Sequence, residues 1–381
     1  MPCPCGKNAS YRRRGDKSVL TSIGPITLGR RYYACRSCGA TRTPWDVWAG
    51  VDGRHRVTHH ARRMIVLAGS DKSFDKASNR LKELCRLEVS NDVVRRICDE
   101  EGQRVKDWVK SAPQPAAAFT AAEGAAEFSS DGVKVNTVDG WRDLRLNVFS
   151  KREPGTPARP EQWDERVLNE PTVRVAWCGI APCGVVGSSW RRMAERLGLI
   201  PGQPLSVLAD GARWIWDQAA KRFKDLGCGA RGVEWVVDVY HLMLYLHAFA
   251  AARLGERAGK AAEAWTRERV VELIELGGPR FIERLKQRGP DTASAAGLKA
   301  WEKLLGYLAD NRDSLWYGER LKRGLPIGTG LIEGGCKNII AARLKLNSAR
   351  WRVRRAERMG AIRCLQYSEL WETYWADKIA A

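Results

Sequence analysis

The sequence predicts a multidomain α+β protein, and three observations lead to this fold class. Four cysteines bracket a hairpin-like stretch near the N-terminus. Helical periodicity then holds over 54–112, up to a Pro/Ala/Gly-rich segment at 113–126 that predicts a linker. Beyond it, three strand-like stretches precede alternating helices and strands, which predicts a mixed α/β core. A chain of 381 residues has room for roughly two or three domains.

Residues 1–48 form the first predicted unit, a zinc ribbon. The second cysteine pair has the two-residue spacing of a zinc knuckle, whereas the first pair has a single spacer residue. The stretch between the pairs predicts a β-hairpin that turns near Gly24-Pro25. Four thiolates would hold a structural Zn²⁺; the alternative is four unrelated buried thiols. The candidate ligands are Cys3, Cys5, Cys35 and Cys38.

Residues 54–112 predict a helical DNA-binding region of three helices. Ser73 is an N-cap candidate for the second helix, and either Ser90 or Asn91 caps the third. Two short helices followed by a basic one resemble a helix-turn-helix arrangement. The alternative is a plain helical bundle whose arginines are only solvated.

The core, 127–240, begins with three strand patterns, and Val138-Asp139-Gly140 predicts a hairpin turn between the first two. Three antiparallel strands followed by alternating helix and strand is the order of the RNase H-like fold. Residues 241–325 are helical in pattern throughout, which predicts an all-helical insertion. Residues 326–381 then supply the final core helix and a basic C-terminal segment.

Two aspartates lie at strand-like stretches of this core. Asp131 lies inside its strand and is followed by Gly132, although both residue types are unfavourable there. A position that breaks a local rule is expected at a functional site, but a solvent-facing Asp in a β-bulge is the alternative. Asp210 ends an apolar strand, where ligands gather in α/β sheets and where an N-cap aspartate is equally common.

Glu333 opens a predicted helix and is followed by two glycines. Each glycine costs about 1 kcal/mol relative to alanine within a helix, so their presence indicates a close approach by another group. The helix dipole would favour the glutamate but does not explain the glycines. Asp131, Asp210 and Glu333 together offer the oxygen ligands that Mg²⁺ or Mn²⁺ prefers, and two such ions suit phosphodiester chemistry.

Asp238 and His241 are three residues apart, where the fifth strand gives way to a helix. One interpretation places both beside the metal ions or the scissile phosphate as auxiliary active-site residues. The alternative is an N-cap aspartate with a satisfied histidine on the first helical turn.

Charge indicates the partner. The chain has 64 Lys and Arg against 44 Asp and Glu, a formal net charge of +20, which favours a nucleic acid. The density of cations after Glu333, with one tryptophan among them, suits phosphate contacts and base stacking. The DNA-binding candidates are Arg12, Arg13, Arg14, Arg30, Arg31, Arg95, Arg96, Lys337, Arg343, Lys345, Arg350, Trp351, Arg352, Arg354 and Arg355.

The cellular compartment follows from three further features. The N-terminus has no apolar core of a signal peptide, and the longest apolar stretch is too short to span a membrane. Eleven cysteines, an odd number, indicate free thiols in a reducing cytosol. A cytoplasmic, nucleoid-associated protein without a membrane partner is therefore expected.

The stretches SSDGVKV, LADGARWIW, VVDVYH and LPIGTGLIEGGCK resemble bacterial insertion-sequence transposases of the ISKra type, within the Mutator-like group of Asp-Asp-Glu transposases. The resemblance runs from about residue 30 to 370. It implies an RNase H-like core with an all-helical insertion, and Mg²⁺-dependent cleavage and strand transfer by Asp131, Asp210 and Glu333. It also implies that Asp238 and His241 form the Asp/Cys-x-x-His signature. The chain departs from this pattern at its narrow first knuckle.

The sequence therefore predicts a DNA transposase that binds the terminal inverted repeats of its element and target DNA, as a homo-oligomer on DNA. A second possibility is a metal-dependent nuclease or resolvase that cuts without joining. A third is a catalytically silent DNA-binding regulator derived from a transposase; loss of one acidic residue would mark it, and all three are present.

Overall fold

The structure, a computed structural model, describes residues 1–51, 56–199, 201–226, 232–255, 259–346 and 348–380. Over these residues the chain forms a three-stranded sheet, a five-stranded mixed sheet and many helices, which confirms the multidomain α+β class. None of the described helices is long and apolar enough to cross a membrane.

The predicted ribbon hairpin is present. Its two long strands pair antiparallel, and the turn comprises Ser22 and Ile23, just before the predicted position. Gly24 follows with φ +112°, a conformation that favours glycine. The elements are β1 (Ala9–Thr21), β2 (Gly24–Cys35), β3 (Thr41–Arg42) and α1 (Pro44–Trp48).

Three helices follow, as predicted. The side chains of Ser73 and Ser90 each accept a hydrogen bond from a backbone N–H at 3.4 Å, so both serines are N-caps. The predicted start of this region at 54–55 lies outside the described residues. The helices are α2 (His59–Asp71), α3 (Phe74–Cys85) and α4 (Asn91–Ser111).

The five-stranded sheet has three antiparallel strands and two parallel ones, in the order β6-β5-β4-β7-β8. A two-residue turn at Val138-Asp139 joins the first two strands, as the sequence predicts, and Gly140 follows with φ +91°. Helices α6 and α7 connect the later strands. The elements are β4 (Ala125–Thr137), β5 (Gly140–Arg152), β6 (Val173–Gly179), α6 (Cys183–Arg196), β7 (Ser206–Ala209), α7 (Arg213–Arg222) and β8 (Glu234–Val237).

The segment 113–126, predicted as a linker, contains helix α5 (Gln114–Ala121) and the start of β4. Phe119 is buried, and its ring centroid lies 6.5 Å from that of Phe149 on β5. One large apolar side chain thus anchors a composition that otherwise resembles a flexible connection. Proline is tolerated at the start of this helix because the first N–H groups have no intrahelical acceptor.

The predicted insertion is mainly helical over its described residues, and its helices share a hydrophobic core with Leu208 of β7 and Val236 and Val237 of β8. Trp163, from the connection between β5 and β6, is buried in that core. The insertion is therefore fastened to the sheet by a loop as well as by its two ends. Its helices are α8 (Val239–Leu254), α9 (Gly259–Leu276), α10 (Gly278–Arg288), α11 (Ala295–Asp310) and α12 (Tyr317–Lys322).

The C-terminal part returns to the sheet and packs against the N-terminal helices. A β-carbon on Gly102 of α4 would lie 2.4 Å from the carbonyl oxygen of Arg358 on the C-terminal helix Val353–Tyr367. The backbones of these two helices are therefore in close contact. This contact covers one face of α4 and favours the helical-bundle alternative over a free recognition helix. The elements are α13 (Gly330–Gly335), a π-helical turn (Cys336–Ala341), α14 (Ala342–Leu344), α15 (Val353–Tyr367) and α16 (Trp371–Ala380).

Candidate functional site

Four cysteine sulfurs converge at the base of the N-terminal hairpin. All four Sγ atoms lie within 4.8 Å of one another, with 3.5 Å between Cys3 and Cys38 and 3.6 Å between Cys5 and Cys35. Tetrahedral zinc with bonds of about 2.3 Å places thiolate sulfurs about 3.8 Å apart. The group can therefore hold a metal ion such as zinc, and the short first knuckle does not prevent the convergence.

Backbone hydrogen bonds lower the pKa of one of these thiols, which favours metal binding. The N–H groups of Cys38 and Ser37 donate to the sulfur of Cys35 and lower its pKa to about 6. At Cys5 the backbone N–H of Lys7 also lowers the pKa, but the neighbouring thiols outweigh it and raise the value to about 12. Metals bind the thiolate, so Cys35 is the thiol most ready to accept one.

Strands β4 and β7 bring Asp131 and Asp210 to the same level of the sheet. Their parallel pairing matches Ser129 with Leu208, and each aspartate comes two residues further along. The register between β4 and β5 is continuous through Asp131. The β-bulge alternative for Asp131 is therefore wrong, and the two carboxylates are neighbours across adjacent strands.

Asp131 is half-buried beside this second carboxylate. Its Oδ1 accepts from the N–H of Gly132 at 2.6 Å, and its Oδ2 accepts from the thiol of Cys336 at 3.5 Å. Burial raises the pKa of Asp131; the Gly132 hydrogen bond opposes this shift, and the Asp210 charge adds to it. Burial and a nearby like charge both disfavour the ionised carboxylate, and strongly perturbed carboxyl groups are frequent at functional sites.

Glu333 is exposed on α13, one helical turn before Cys336. Burial raises the pKa of the Cys336 thiol, and the charges of Asp131 and Glu333 raise it further, so both carboxylates lie near that sulfur. A β-carbon on Gly335 would lie 2.8 Å from Leu146 of β5, whereas one on Gly334 would meet open space. The second glycine is thus explained by close packing of α13 on the sheet.

The three carboxylates do not meet at one point. Within the described chain, the cysteine group is the one set of three or more metal-ligating side chains gathered within 4.8 Å. A two-metal site divides its ligands between ions about 3.5–4 Å apart, and hard cations take carboxylate oxygens. The donor set therefore offers oxygen ligands suited to hard cations, but the structure does not gather the three carboxylates around one position.

Asp238 is buried, and both of its carboxylate oxygens are occupied. Oδ1 accepts from the N–H groups of Tyr240 at 2.7 Å and His241 at 3.4 Å, which makes Asp238 the N-cap of α8. Oδ2 accepts from the N–H of Thr329 at 3.1 Å and from the Thr329 hydroxyl. Asp238 therefore corresponds to the N-cap alternative, and it also ties α8 to the residue that precedes α13 and Glu333.

His241 lies on the first turn of α8. Its charge acts to lower the pKa of Asp131. Its ring centroid lies 5.9 Å from Tyr307 and 5.8 Å from Tyr245. His241 is half-buried and so remains a candidate for contact with a bound substrate.

Part of the predicted DNA-binding segment lines one cavity. Arg352, Arg354, Arg355 and Arg358 surround a space of about 640 Å³ next to the turn Val138-Asp139. Lys337 and Lys345, also predicted to bind DNA, are exposed. Arg350 donates to the carbonyl oxygen of Val138 at 3.2 Å.

Two predicted DNA contacts are wrong because their side chains are buried. Trp351 is 6% exposed, and its indole N–H donates to the carbonyl oxygen of Leu344 at 3.1 Å. Arg343 is 3% exposed, donates to the carbonyl of Gly69 at 3.0 Å, and lies over the rings of Trp351 and Phe74. Neither side chain is accessible to nucleic acid, since the N-terminal helices cover both.

The remaining predicted arginines differ in their partners. Arg30 forms an ion pair with the buried Asp46, so it supports the ribbon. Arg95 and Arg96 of α4 pair with acids of the same helix, at 2.8 and 3.4 Å. The other predicted arginines of the ribbon, all exposed, are Arg12, Arg13, Arg14 and Arg31.

Sequence reasoning missed two residues of this site. Cys336 recurs with Ile332, Ile339 and Ile340 at the spacing of an apolar helix face, and its spacing from Glu333 also places it on the adjoining face. Tyr307 of α11 donates its hydroxyl to the backbone carbonyl of Asp210 at 2.8 Å. No local signal identifies Tyr307, because 97 residues separate it from Asp210.

A comparison with models of protein families matches the N-terminal part of the chain. Residues 7–113 match a family described as Uncharacterised protein family (UPF0236). The matched part contains the hairpin of the ribbon and the helices α2 to α4, and ends before β4. No curated protein matches the chain significantly.

Proposed function

We propose that this chain is a DNA transposase of a bacterial insertion sequence, of the ISKra type within the Mutator-like group. The observation that carries the proposal is that Asp131 and Asp210 lie at the same level of the sheet on adjacent strands. Helix α13, which carries Glu333, lies over the strand of Asp131. An acidic group of this kind in a chain of net charge +20 suits cleavage of a polyanionic phosphodiester backbone.

The sheet supports an RNase H-like core. Three antiparallel strands lie beside two strands parallel to the first, in the order β6-β5-β4-β7-β8. A helical insertion follows the last strand, and the chain then returns with the helix that carries Glu333. The same order is the one that the family resemblance implies.

In the proposed mechanism, Asp131, Asp210 and Glu333 would hold two Mg²⁺ or Mn²⁺ ions. When bound, these ions supply a Lewis acid for the phosphate and lower the pKa of the attacking water or 3′-hydroxyl. The protein's own contribution is to hold the ligands in place. Asp131 is oriented by Gly132 and Cys336, and Asp238 fixes the turn before α13 through Thr329.

The basic residues would bind the DNA on either side of this chemistry. Arg352, Arg354 and Arg355, at the cavity beside Val138-Asp139, suit backbone phosphates, because guanidinium groups bind phosphate in two-point contacts. Arg358, at the same cavity, is paired with Asp99 at 2.8 Å. The ribbon, with its structural Zn²⁺ and exposed arginines, would contact the terminal inverted repeats. Assembly of a homo-oligomer on DNA would bring the two element ends and the target together.

A strand-transfer assay tests the proposal. Labelled duplexes carrying the inverted repeats that flank the gene are incubated with the full chain, Mg²⁺ and a supercoiled target plasmid. Joining of the labelled 3′ end to the plasmid is the expected result. Cleavage without joining would identify a nuclease or resolvase, and DNA binding without either reaction would identify a regulator.

A further inference from the structure

The helical insertion touches the proposed metal site at one defined point. The hydroxyl of Tyr307, on α11, donates to the backbone carbonyl oxygen of Asp210 at 2.8 Å. Burial raises the pKa of Tyr307, and the carboxylate of Asp210 raises it further, so the phenol keeps the proton that it donates. The contact therefore joins the insertion to the turn that carries the second carboxylate.

The turn is built to receive this tyrosine. Gly211 has φ +92°, a conformation that L side chains rarely adopt. A β-carbon at Gly211 would lie 2.9 Å from both Cε2 and Oη of Tyr307. Any other residue would therefore push the phenol away from the carbonyl of Asp210.

The same turn fixes the carboxylate. Oδ1 of Asp210 accepts from the N–H of Ala212 at 2.9 Å, which leaves Oδ2 as the oxygen without a hydrogen bond inside the turn. The backbone carbonyl is held by Tyr307 and the side chain by Ala212, so rotation of the peptide would move Oδ2. The direction of Oδ2 thus depends on the hydrogen bond from the insertion.

Neighbouring contacts hold Tyr307 itself. Its ring stacks on Tyr245 of α8, with 4.1 Å between centroids and 15° between planes. Asn311, one turn along α11, donates to the carbonyl of Tyr307 at 2.9 Å and accepts from the indole N–H of Trp216 on α7 at 2.9 Å. The insertion thus contacts the Asp210 turn through Tyr307, and it contacts helix α7, which follows the turn, through Asn311.

We propose that Tyr307 is a positioning residue for Asp210, through which the helical insertion sets the affinity of the site for divalent metal ions. The inference rests on the proposed function, because it assumes that Asp210 is a metal ligand. It goes beyond that function by assigning the insertion a role in the chemistry besides DNA contact.

The test uses Tyr307→Phe in the zinc-loaded full chain, which keeps the ring and removes one hydroxyl. Amide hydrogen exchange over 209–215, without divalent metal, should become about five- to tenfold faster, as expected for the loss of one neutral hydrogen bond. Mn²⁺ binding, measured by paramagnetic resonance and corrected with Asp210→Asn, should weaken by a similar factor. Gly211→Ala, which disturbs the same contact from the other side, should weaken Mn²⁺ binding in the same direction.

Tyr317→Phe is the matched control. Its hydroxyl also joins the insertion to a strand end, donating to the carbonyl of Val237 at 2.9 Å. This variant should leave exchange over 209–215 unchanged. Unchanged exchange and Mn²⁺ affinity in folded Tyr307→Phe would overturn the role of Tyr307 alone. If the wild-type chain shows no Mn²⁺ binding that is lost in Asp210→Asn, the proposed function and this inference are both overturned.

Discussion

The thiol of Cys336 donates to Oδ2 of Asp131 across 3.5 Å, although 205 residues separate the two in the chain. The contact sets the helix of Glu333 against strand β4 and holds one oxygen of Asp131 in place. The helix changes from α to π geometry at Cys336, a change that is frequent at functional sites. The third carboxylate is thus brought to the first by a residue that is not itself charged.

Each acidic residue of the proposed triad should be required for chemistry but not for folding. We expect Asp131→Asn, Asp210→Asn and Glu333→Gln to abolish DNA cleavage while leaving duplex affinity nearly unchanged, because each keeps the shape and removes a metal-binding charge. Cleavage and gel-shift assays on the same preparations measure both effects. Near-wild-type cleavage by any one variant would remove that residue from the triad.

Asp131 should also lower the stability of the metal-free protein at neutral pH. Its pKa is raised in the folded state, so the native chain binds the proton more tightly than the unfolded chain does. The resulting stability is present below the ordinary aspartate pKa of about 3.9 and is lost as the pH rises through the folded value. Asp131→Asn should therefore raise the melting temperature at pH 7, and the gain should vanish near pH 3.5.

Mg²⁺ provides a second test of the role of Asp131 in stability. It should stabilise the wild-type chain and leave Asp131→Asn unaffected, since a ligand stabilises only the state that binds it. Asp143→Asn is the control, because the Asp143 side chain is 44% exposed on the adjacent strand, with Lys134 at 3.7 Å. An equal gain from both substitutions would show that the effect reflects net charge and not burial.

The cysteine group should hold one zinc ion. Metal analysis of the purified full chain should find about one equivalent, as expected for four thiolates. Cys35→Ser should lose this metal, since it removes the thiol whose pKa is lowered to about 6. Cys85→Ser, a change of the same kind on α3, should keep it; a wild-type chain that folds without metal would contradict the prediction.

Trp351 should contribute to stability and not to DNA binding. Replacing a buried tryptophan with alanine costs about 3–5 kcal/mol, so Trp351→Ala should unfold at clearly lower denaturant concentration. Trp141 is the control, because it is 61% exposed on β5. Trp141→Ala should leave stability nearly unchanged. Equal denaturation midpoints for the two variants would mean that Trp351 is not packed as described.

The arginines that follow Trp351, of which Arg352 and Arg354 are exposed and Arg355 is half-buried, should bind DNA backbone without reading sequence. Changing Arg352, Arg354 and Arg355 together to glutamine should weaken cognate and scrambled duplexes alike. Each lost phosphate contact should reduce the slope of log affinity against log salt by about 0.9.

The control for this prediction removes the same charge from the insertion. Lys260, Lys299 and Lys303 are exposed there, and their joint change to glutamine should leave the salt slope nearly unchanged. A selective loss on the cognate duplex, with an unchanged slope, would show instead that the arginine segment reads bases.

Features that depend on neighbouring residues were accessible from sequence. The two hairpins follow from turn residues between alternating stretches, and the N-caps at Ser73 and Ser90 follow from hydroxyl side chains before periodic apolar residues. The convergence of the four cysteines was also predictable, because a hairpin necessarily brings its two ends together. In each case the interacting groups are close in sequence or are joined by one regular element.

Only the tertiary structure decided which side chains are covered and which carboxylates become neighbours. Trp351 and Arg343 lie in a strongly basic segment, yet α2 and α3 bury both. Phe119 packs against Phe149 and anchors the predicted linker as a helix, and Thr329, 91 residues along the chain, occupies Oδ2 of Asp238. Amphipathic patterns indicate that a face can be buried, but they do not identify what covers it; the carbonyl that Arg343 contacts is 274 residues away. Such contacts leave no local trace, so composition could indicate a basic surface without showing which of its residues face the solvent.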